Sequence, residues 1–137
     1  MTQAQGNDNP MTSNTASSYS VLVADDERDV VDITADMLET CGCTVYRAYS
    51  AAEALGHLDD HPEIALVLSD IRMPEVDGFD LMRVIRYRFG KLSVVLMTGL
   101  PVTEEDHVPP GAAILTKPFT FDELKRVLPP RMQNVRR

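Results

Sequence analysis

A doubly wound α/β fold, with a five-stranded parallel sheet and helices on both faces, is the class this sequence predicts. Three observations predict it. Short apolar runs such as "VLVA", "ALVL" and "VVLM" carry no alternation, as befits strands covered on both faces. Amphipathic stretches with helical spacing separate them. The two kinds alternate along the chain, and strand–helix–strand units close as a parallel sheet through right-handed crossovers.

The elements follow in order. Residues 1–18, "MTQAQGNDNPMTSNTASS", are rich in Asn, Ser, Thr and Gln and hold almost nothing for a core, so a disordered lead-in is expected. The domain proper is expected over 19–129. "YSVLVADD" is a strand that ends in two acids. "ERDVVDITADMLETCG" is a helix, with Val30, Ile33, Met37, Leu38 and Cys41 at helical spacing and Gly42 as its stop signal. "TVYRA" is a strand, and "SAAEALGHLDDHP" a helix opened by Ser50, with Glu53 completing a capping-box pattern. After the strand "IALVLSD" and the turn "MPEVDG", the helix "FDLMRVIRYRF" aligns Phe79, Met82, Ile85 and Phe89. "LSVVLMTG" and "AAILTKP" are the last strands, and "TFDELKRVL" closes the domain with Phe121, Leu124 and Leu128 inward. Between those strands, "LPVTEEDHVPPGA" offers Thr103 as an N-cap, but Pro109 and Pro110 forbid a full helix. The fourth helix is therefore expected to be short or degenerate. A basic tail over 130–137, with Arg131, Arg136 and Arg137, is expected to fray.

Composition narrows the function classes. The 137 residues suit one domain, and 44% hydrophobic with 25% charged residues suits a globular one. A formal net charge of −8 argues against a nucleic-acid binder and against docking on anionic lipid. No apolar run reaches the length of a membrane span, and no signal-peptide layout opens the chain, so a cytoplasmic location is expected. Cys41 and Cys43 are too few to close a zinc site and are expected to be reduced and partly buried.

In a doubly wound sheet, ligands sit beyond the carboxyl ends of the strands. The first strand ends in Asp25 and Asp26, the third in Asp70, the fourth in Thr98 and the fifth in Lys117. Three carboxylates on one rim would hold one another partly protonated unless a cation joined them. Magnesium suits such an all-oxygen set and is commonly shared with a phosphoryl group. Asp70 would then stay ionised and act as a nucleophile on phosphorus, with Thr98 and Lys117 taking phosphoryl oxygens. Each member also has a plainer explanation. An Asp-Asp pair before a helix is often a cap, a lone Asp before a turn is usually turn chemistry, and a strand-end Lys can snorkel. Joint placement at alternate strand ends is what favours the site.

Four segments, "VLVADDE", "LSDIRMPEVDG", "VVLMTG" and "LTKPF", together resemble the response-regulator receiver domain of two-component signalling, from about Ser20 to Leu128. The resemblance implies a CheY-like, flavodoxin-like fold. It implies that Asp70 accepts a phosphoryl group from a phosphohistidine of a sensor histidine kinase or histidine phosphotransfer protein. It implies Mg²⁺, with Mn²⁺ as a substitute, held directly by Asp26 and Asp70, through water by Asp25, and by the backbone carbonyl of Arg72. Thr98 and Lys117 would bind the phosphoryl oxygens, and the Lys117–Pro118 peptide would be cis. An unknown downstream protein would read the state.

Two departures bear on mechanism. Receivers commonly place Tyr or Phe three residues before the lysine, and here Ile114 stands there, so the switch pair is Thr98 with an aliphatic partner. The stretch between Thr98 and Lys117 is shorter than usual, which points to the 99–111 segment as the signalling element. The Arg72 side chain is expected near the site mouth, screening the acids or lying solvated. With no output domain in view, the protein would signal by protein–protein contact. The alternatives are a receiver module of a hybrid sensor histidine kinase and an aspartyl-nucleophile phosphatase. Arg72 stands where such a phosphatase carries its acid.

Overall fold

The structure is a computed structural model that describes residues 18–134. The expected lead-in falls outside them but for Ser18, as do Arg136 and Arg137 of the expected tail. The order of elements is β1 (Tyr19–Ala24), α1 (Arg28–Thr40), β2 (Cys43–Ala48), α2 (Ala51–Asp60), β3 (Ile64–Asp70), α3 (Gly78–Phe89), β4 (Ser93–Thr98), β5 (Ala113–Thr116) and α4 (Phe121–Lys125). The strands lie in the order β2-β1-β3-β4-β5, and every neighbouring pair is parallel. No described helix is long and apolar enough to cross a membrane.

Alternate residues of the central strands feed two cores. Leu22, Val67 and Leu96 pack with Leu81 and Ile85 of α3 and Leu58 of α2, while Val21, Leu66 and Met97 pack with Val31 and Leu38 of α1 and Leu124 of α4. Helix starts follow the capping chemistry. The Ser50 hydroxyl accepts from the Glu53 amide at 3.1 Å, while the Glu53 carboxylate reaches back to the Tyr49 amide at 2.7 Å. Asp77 caps α3 by accepting from the Asp80 amide at 2.9 Å, and Thr120 and Glu123 form the reciprocal box of α4. Gly42 ends α1 with φ of 91°, a conformation that favours glycine.

Three details differ from the sequence reading. The buried face of α1 is Val31, Thr34, Ala35 and Leu38; of the expected stripe, Val30 and Ile33 lie outside the core, with Ile33 59% exposed, and Met37 packs partly buried against it. Cys41 and Cys43 are more buried than expected, at 5% and 7% exposed, neither is in a disulfide, and burial followed by the neighbouring Cys41 pushes the Cys43 thiol up to about 11. Met132, in a 3-10 turn over Pro130–Met132, is buried among the α1 and α4 residues, so the packed chain continues past residue 129.

Between β4 and β5 the fourth helix is reduced to one 3-10 turn, Glu104–Asp106. The Asp106 carboxylate accepts from the Thr103 amide at 2.7 Å, His107 leaves the turn with φ of 53°, and Pro109 follows. A missing helix leaves β5 thinly covered. Ala113, Ile114 and Thr116 are all exposed on this edge strand.

Candidate functional site

Register brings the acids together. β1 and β3 pair with Ala24 opposite Ser69, so the next residues, Asp25 and Asp70, emerge side by side from the middle of the sheet. Ligand oxygens of Asp25, Asp26 and Asp70 all lie within 4.8 Å of one another. β4 and β5 pair with Thr98 opposite Thr116, and the Lys117 amide donates to the Thr98 carbonyl at 2.7 Å. That step turns Lys117 over the acids. Its Nζ sits 3.0 Å from Asp25 Oδ2 and 3.1 Å from Asp70 Oδ1. The Lys117–Pro118 peptide is cis.

Burial sets the electrostatics. Asp25 is wholly buried and Asp70 is 4% exposed, while Asp26 faces solvent. Burial, and then the charge of Asp25, push the Asp70 carboxyl above its ordinary value, against the pull of Lys117. Burial alone would lower the Lys117 ammonium, but its bonds to Asp25 and Asp70 outweigh that, and it is raised. One ammonium therefore offsets only part of the negative charge gathered here. Hard oxygen donors with charge left over are what a small divalent cation takes. The donor set fits Mg²⁺.

The plainer explanation of the acid pair does not hold in the structure. Glu27, not Asp25 or Asp26, occupies the N-cap of α1, and no side chain caps it. Asp25 does accept from the Glu27 amide at 3.0 Å, but with the oxygen that Lys117 leaves free.

A close approach fixes the far side of the site. Gly78 packs against the turn after Asp70, and a Cβ there would run into the Asp70 carbonyl and lie 2.9 Å from Ile71 Cα. Gly78 therefore holds the loop over 71–77 tight beneath Asp70, besides opening α3.

Thr98 is 2% exposed, and its hydroxyl donates to the Leu100 carbonyl at 2.8 Å and accepts from the Leu100 amide at 3.0 Å. It stands at the rim but is committed to the next loop. Ile114 lies against a separate cavity of about 420 Å³ shared with Thr98, Leu100 and Val102. The Arg72 guanidinium is near the mouth, as expected, but is paired 3.4 Å from Asp106 of the 3-10 turn. Sequence reasoning missed that bridge, which spans 34 residues of chain. It also missed a groove of about 680 Å³ that opens from Asp70 and Lys117 along Val30, Ile33 and Met37 of α1, with Phe119 and Leu100 opposite. The signal was present as the second apolar stripe on α1.

A family model of the response regulator receiver domain matches residues 21–128. The chain belongs to that family. Its members are the phosphoacceptor domains of two-component systems, phosphorylated on aspartate, generally binding Mg²⁺ through acidic residues and interacting with histidine kinases or phosphotransfer proteins. Response regulator Rre1 of Synechocystis sp. is 37% identical over 119 residues, which cover 82% of this chain and 51% of Rre1. Response regulator receiver protein CpdR of Brucella abortus is 31% identical over 107 residues, covering 76% of this chain and 88% of CpdR. The crystal structure of a response regulator receiver protein from Pseudomonas putida superposes with a TM-score of 0.74 at 30% identity, over 81% of this chain and 95% of that one. The receiver thus spans about half of Rre1, nearly all of CpdR, and only 7% of a hybrid signal transduction histidine kinase from Dictyostelium discoideum.

Proposed function

We propose that Asp70 is the phosphoacceptor of a phosphorelay, taking its phosphoryl group from a phosphohistidine of a sensor histidine kinase or phosphotransfer protein. The observation that carries this reading is Lys117, which meets Asp25 and Asp70 at the bottom of a groove wide enough to admit a partner's side chain. In the transfer, an Asp70 carboxylate oxygen attacks phosphorus and the bond to the imidazole nitrogen breaks. Lys117 then shifts from Asp70 to the new phosphoryl oxygens, and keeps Asp25. Asp25, Asp26 and Asp70, with the Arg72 carbonyl, would hold Mg²⁺ or Mn²⁺, which when bound neutralises the carboxylates and the incoming phosphoryl oxygens.

The same geometry supports a signalling route. To reach a phosphoryl oxygen, the Thr98 hydroxyl must give up Leu100, which frees the first residues of the 99–111 segment. A phosphoryl group carries about −1.5 to −2 of charge where the Asp70 carboxylate carried one negative charge, and the added charge beside Arg72 competes with Asp106 for the guanidinium. Both changes loosen one loop, with no aromatic at position 114. A downstream protein reading that loop is the output in this account, whether the receiver acts alone, without an output domain, in the cytoplasm, or as a module of a hybrid kinase. Hydrolysis of the acyl phosphate by water would reset it. An aspartyl-nucleophile phosphatase is disfavoured, because Arg72 replaces the second acid and is paired with Asp106.

Intact-mass analysis after incubation with acetyl phosphate and Mg²⁺ tests the reading. One phosphoryl adduct per chain is expected, absent from Asp70→Asn and absent without the metal. An adduct that survives in Asp70→Asn overturns it.

A further inference from the structure

The opposite end of the sheet holds a second feature, independent of phosphorylation. β5 begins at Ala113, opposite Val95, so Ser93 and Val94 at the start of β4 run on without β5 beside them. The gap is a notch of about 510 Å³ between the end of α3 and the end of α4, and Arg86, Lys91 and Arg126 line it. The charge pattern there is unlike the rest of the surface. Arg136 and Arg137 aside, which lie outside the described residues, every other Lys and Arg has a carboxylate or an aromatic ring as partner. Arg28 lies over Tyr49 and Arg131 over Tyr19, and the others meet carboxylates. Among the described residues, Arg86, Lys91 and Arg126 have no such partner, in a chain with 21 acids and 13 Lys and Arg.

Acids outnumber bases, so cations left unpaired by chance would be scattered. These three share one wall. Arg86 and Arg126 stand at the ends of α3 and α4, where a cation favours the helix dipole. That accounts for each alone, but not for Lys91 in the turn from α3 to β4 or for the missing carboxylates. Gly111, with φ of 75°, closes the rim without a side chain, and a Cβ there would stand 4.0 Å from the Arg86 guanidinium.

We infer that the notch receives an acidic, extended peptide segment of a partner protein, whose carboxylates pair with Arg86, Lys91 and Arg126. The cations come from three separate elements around a strand edge, and none is deeply buried. A single phosphate would need them to converge, whereas a chain with several carboxylates meets them in turn. The site lies at the far end of the strands from Asp70, so a partner held here leaves the phosphoryl groove open.

Titrating the isotope-labelled chain with an oligoglutamate peptide, beside oligoglutamine and inorganic phosphate, tests this by NMR. The expected result is saturable shifts at Ser93, Val94 and Gly111 with oligoglutamate and none with oligoglutamine. The triple variant Arg86→Gln, Lys91→Gln, Arg126→Gln should bind about tenfold more weakly, as three exposed ion pairs allow. Its own spectrum reports whether it folds. Should it not, Lys91→Gln at an exposed position should still weaken binding about threefold. Unchanged affinity in the variants, shifts centred elsewhere, or tighter binding of phosphate than of the peptide would each overturn the inference. A concentration-dependent dimer lost in the triple variant would also overturn it, assigning the notch to a second copy of the chain.

Discussion

The two sides of the acid cluster are built differently. β1 and β3 deliver Asp25 and Asp70 from the middle of the sheet, between two cores, on strands buried almost throughout. β4, buried but next to the edge, delivers Thr98, and the edge strand β5 delivers Lys117; β5 is largely exposed and the covering helix has shrunk to one 3-10 turn. The difference teaches how a fixed charge and a movable one can share a site. The acids cannot retreat from one another, because their strands are clamped on both faces. The hydroxyl is held by Leu100 at the start of a loop, and the ammonium ends a long side chain that stems from the edge strand, so both can follow a change in charge.

The largest effect should come from the clamped side. Leu68→Ala empties a fully buried position beside Asp70 and should cost about 2–5 kcal/mol in a denaturant titration. The same truncation at Ile114, 37% exposed on the edge, should cost under about 1 kcal/mol. Equal losses would erase the contrast between the two sides. Gly78→Ala should destabilise by about 1–3 kcal/mol, since its methyl group meets the backbone of Asp70 and Ile71.

The raised Asp70 gives a pH dependence of known sign. An acid whose folded pKa is raised holds its proton better folded than unfolded, so stability falls as pH rises from the ordinary Asp range through the folded value. Above that value the buried charge is a standing cost, and a bound divalent cation relieves it. Mg²⁺ at about 100 times its dissociation constant should therefore add about 2.7 kcal/mol near neutral pH. The gain should shrink towards about pH 4, as protons displace the metal. Thermal melts with and without Mg²⁺ at both pH values check it, and a gain that does not shrink in acid would separate the metal from Asp70.

The smallest effect belongs to the loop. Arg72 is about half exposed, so Arg72→Ala should change stability by under about 1 kcal/mol. It should nonetheless raise amide exchange across residues 99–111, because the Asp106 bridge is lost. A phosphoryl mimic should raise exchange there in the wild type and less in the variant. Equal exchange in all cases would remove the loop from the signalling route.

Much of this was legible in the sequence where an apolar run stops in a charged or hydroxyl residue. Such stops placed Asp25, Asp26, Asp70, Thr98 and Lys117 on one rim before any coordinate was known. The shortened segment after Thr98 was legible too, because Pro109 and Pro110 limit what the backbone can do there. The buried face of α1 was not, because its first turns carry two apolar stripes a residue apart and helical periodicity cannot choose between them. The packing of Met132 and the Arg72–Asp106 bridge depend on chain segments that meet only in the fold. The partnerless cations of the notch were invisible for the same reason. A cation's partner is a matter of space, and its absence more so.

Calorimetric titration with Mg²⁺ tests the central claim most directly, that one divalent cation is what reconciles three crowded aspartates. A single saturable site is expected in the wild type and should be lost in Asp70→Asn. No uptake by the wild type, or undiminished uptake by the variant, would contradict the account.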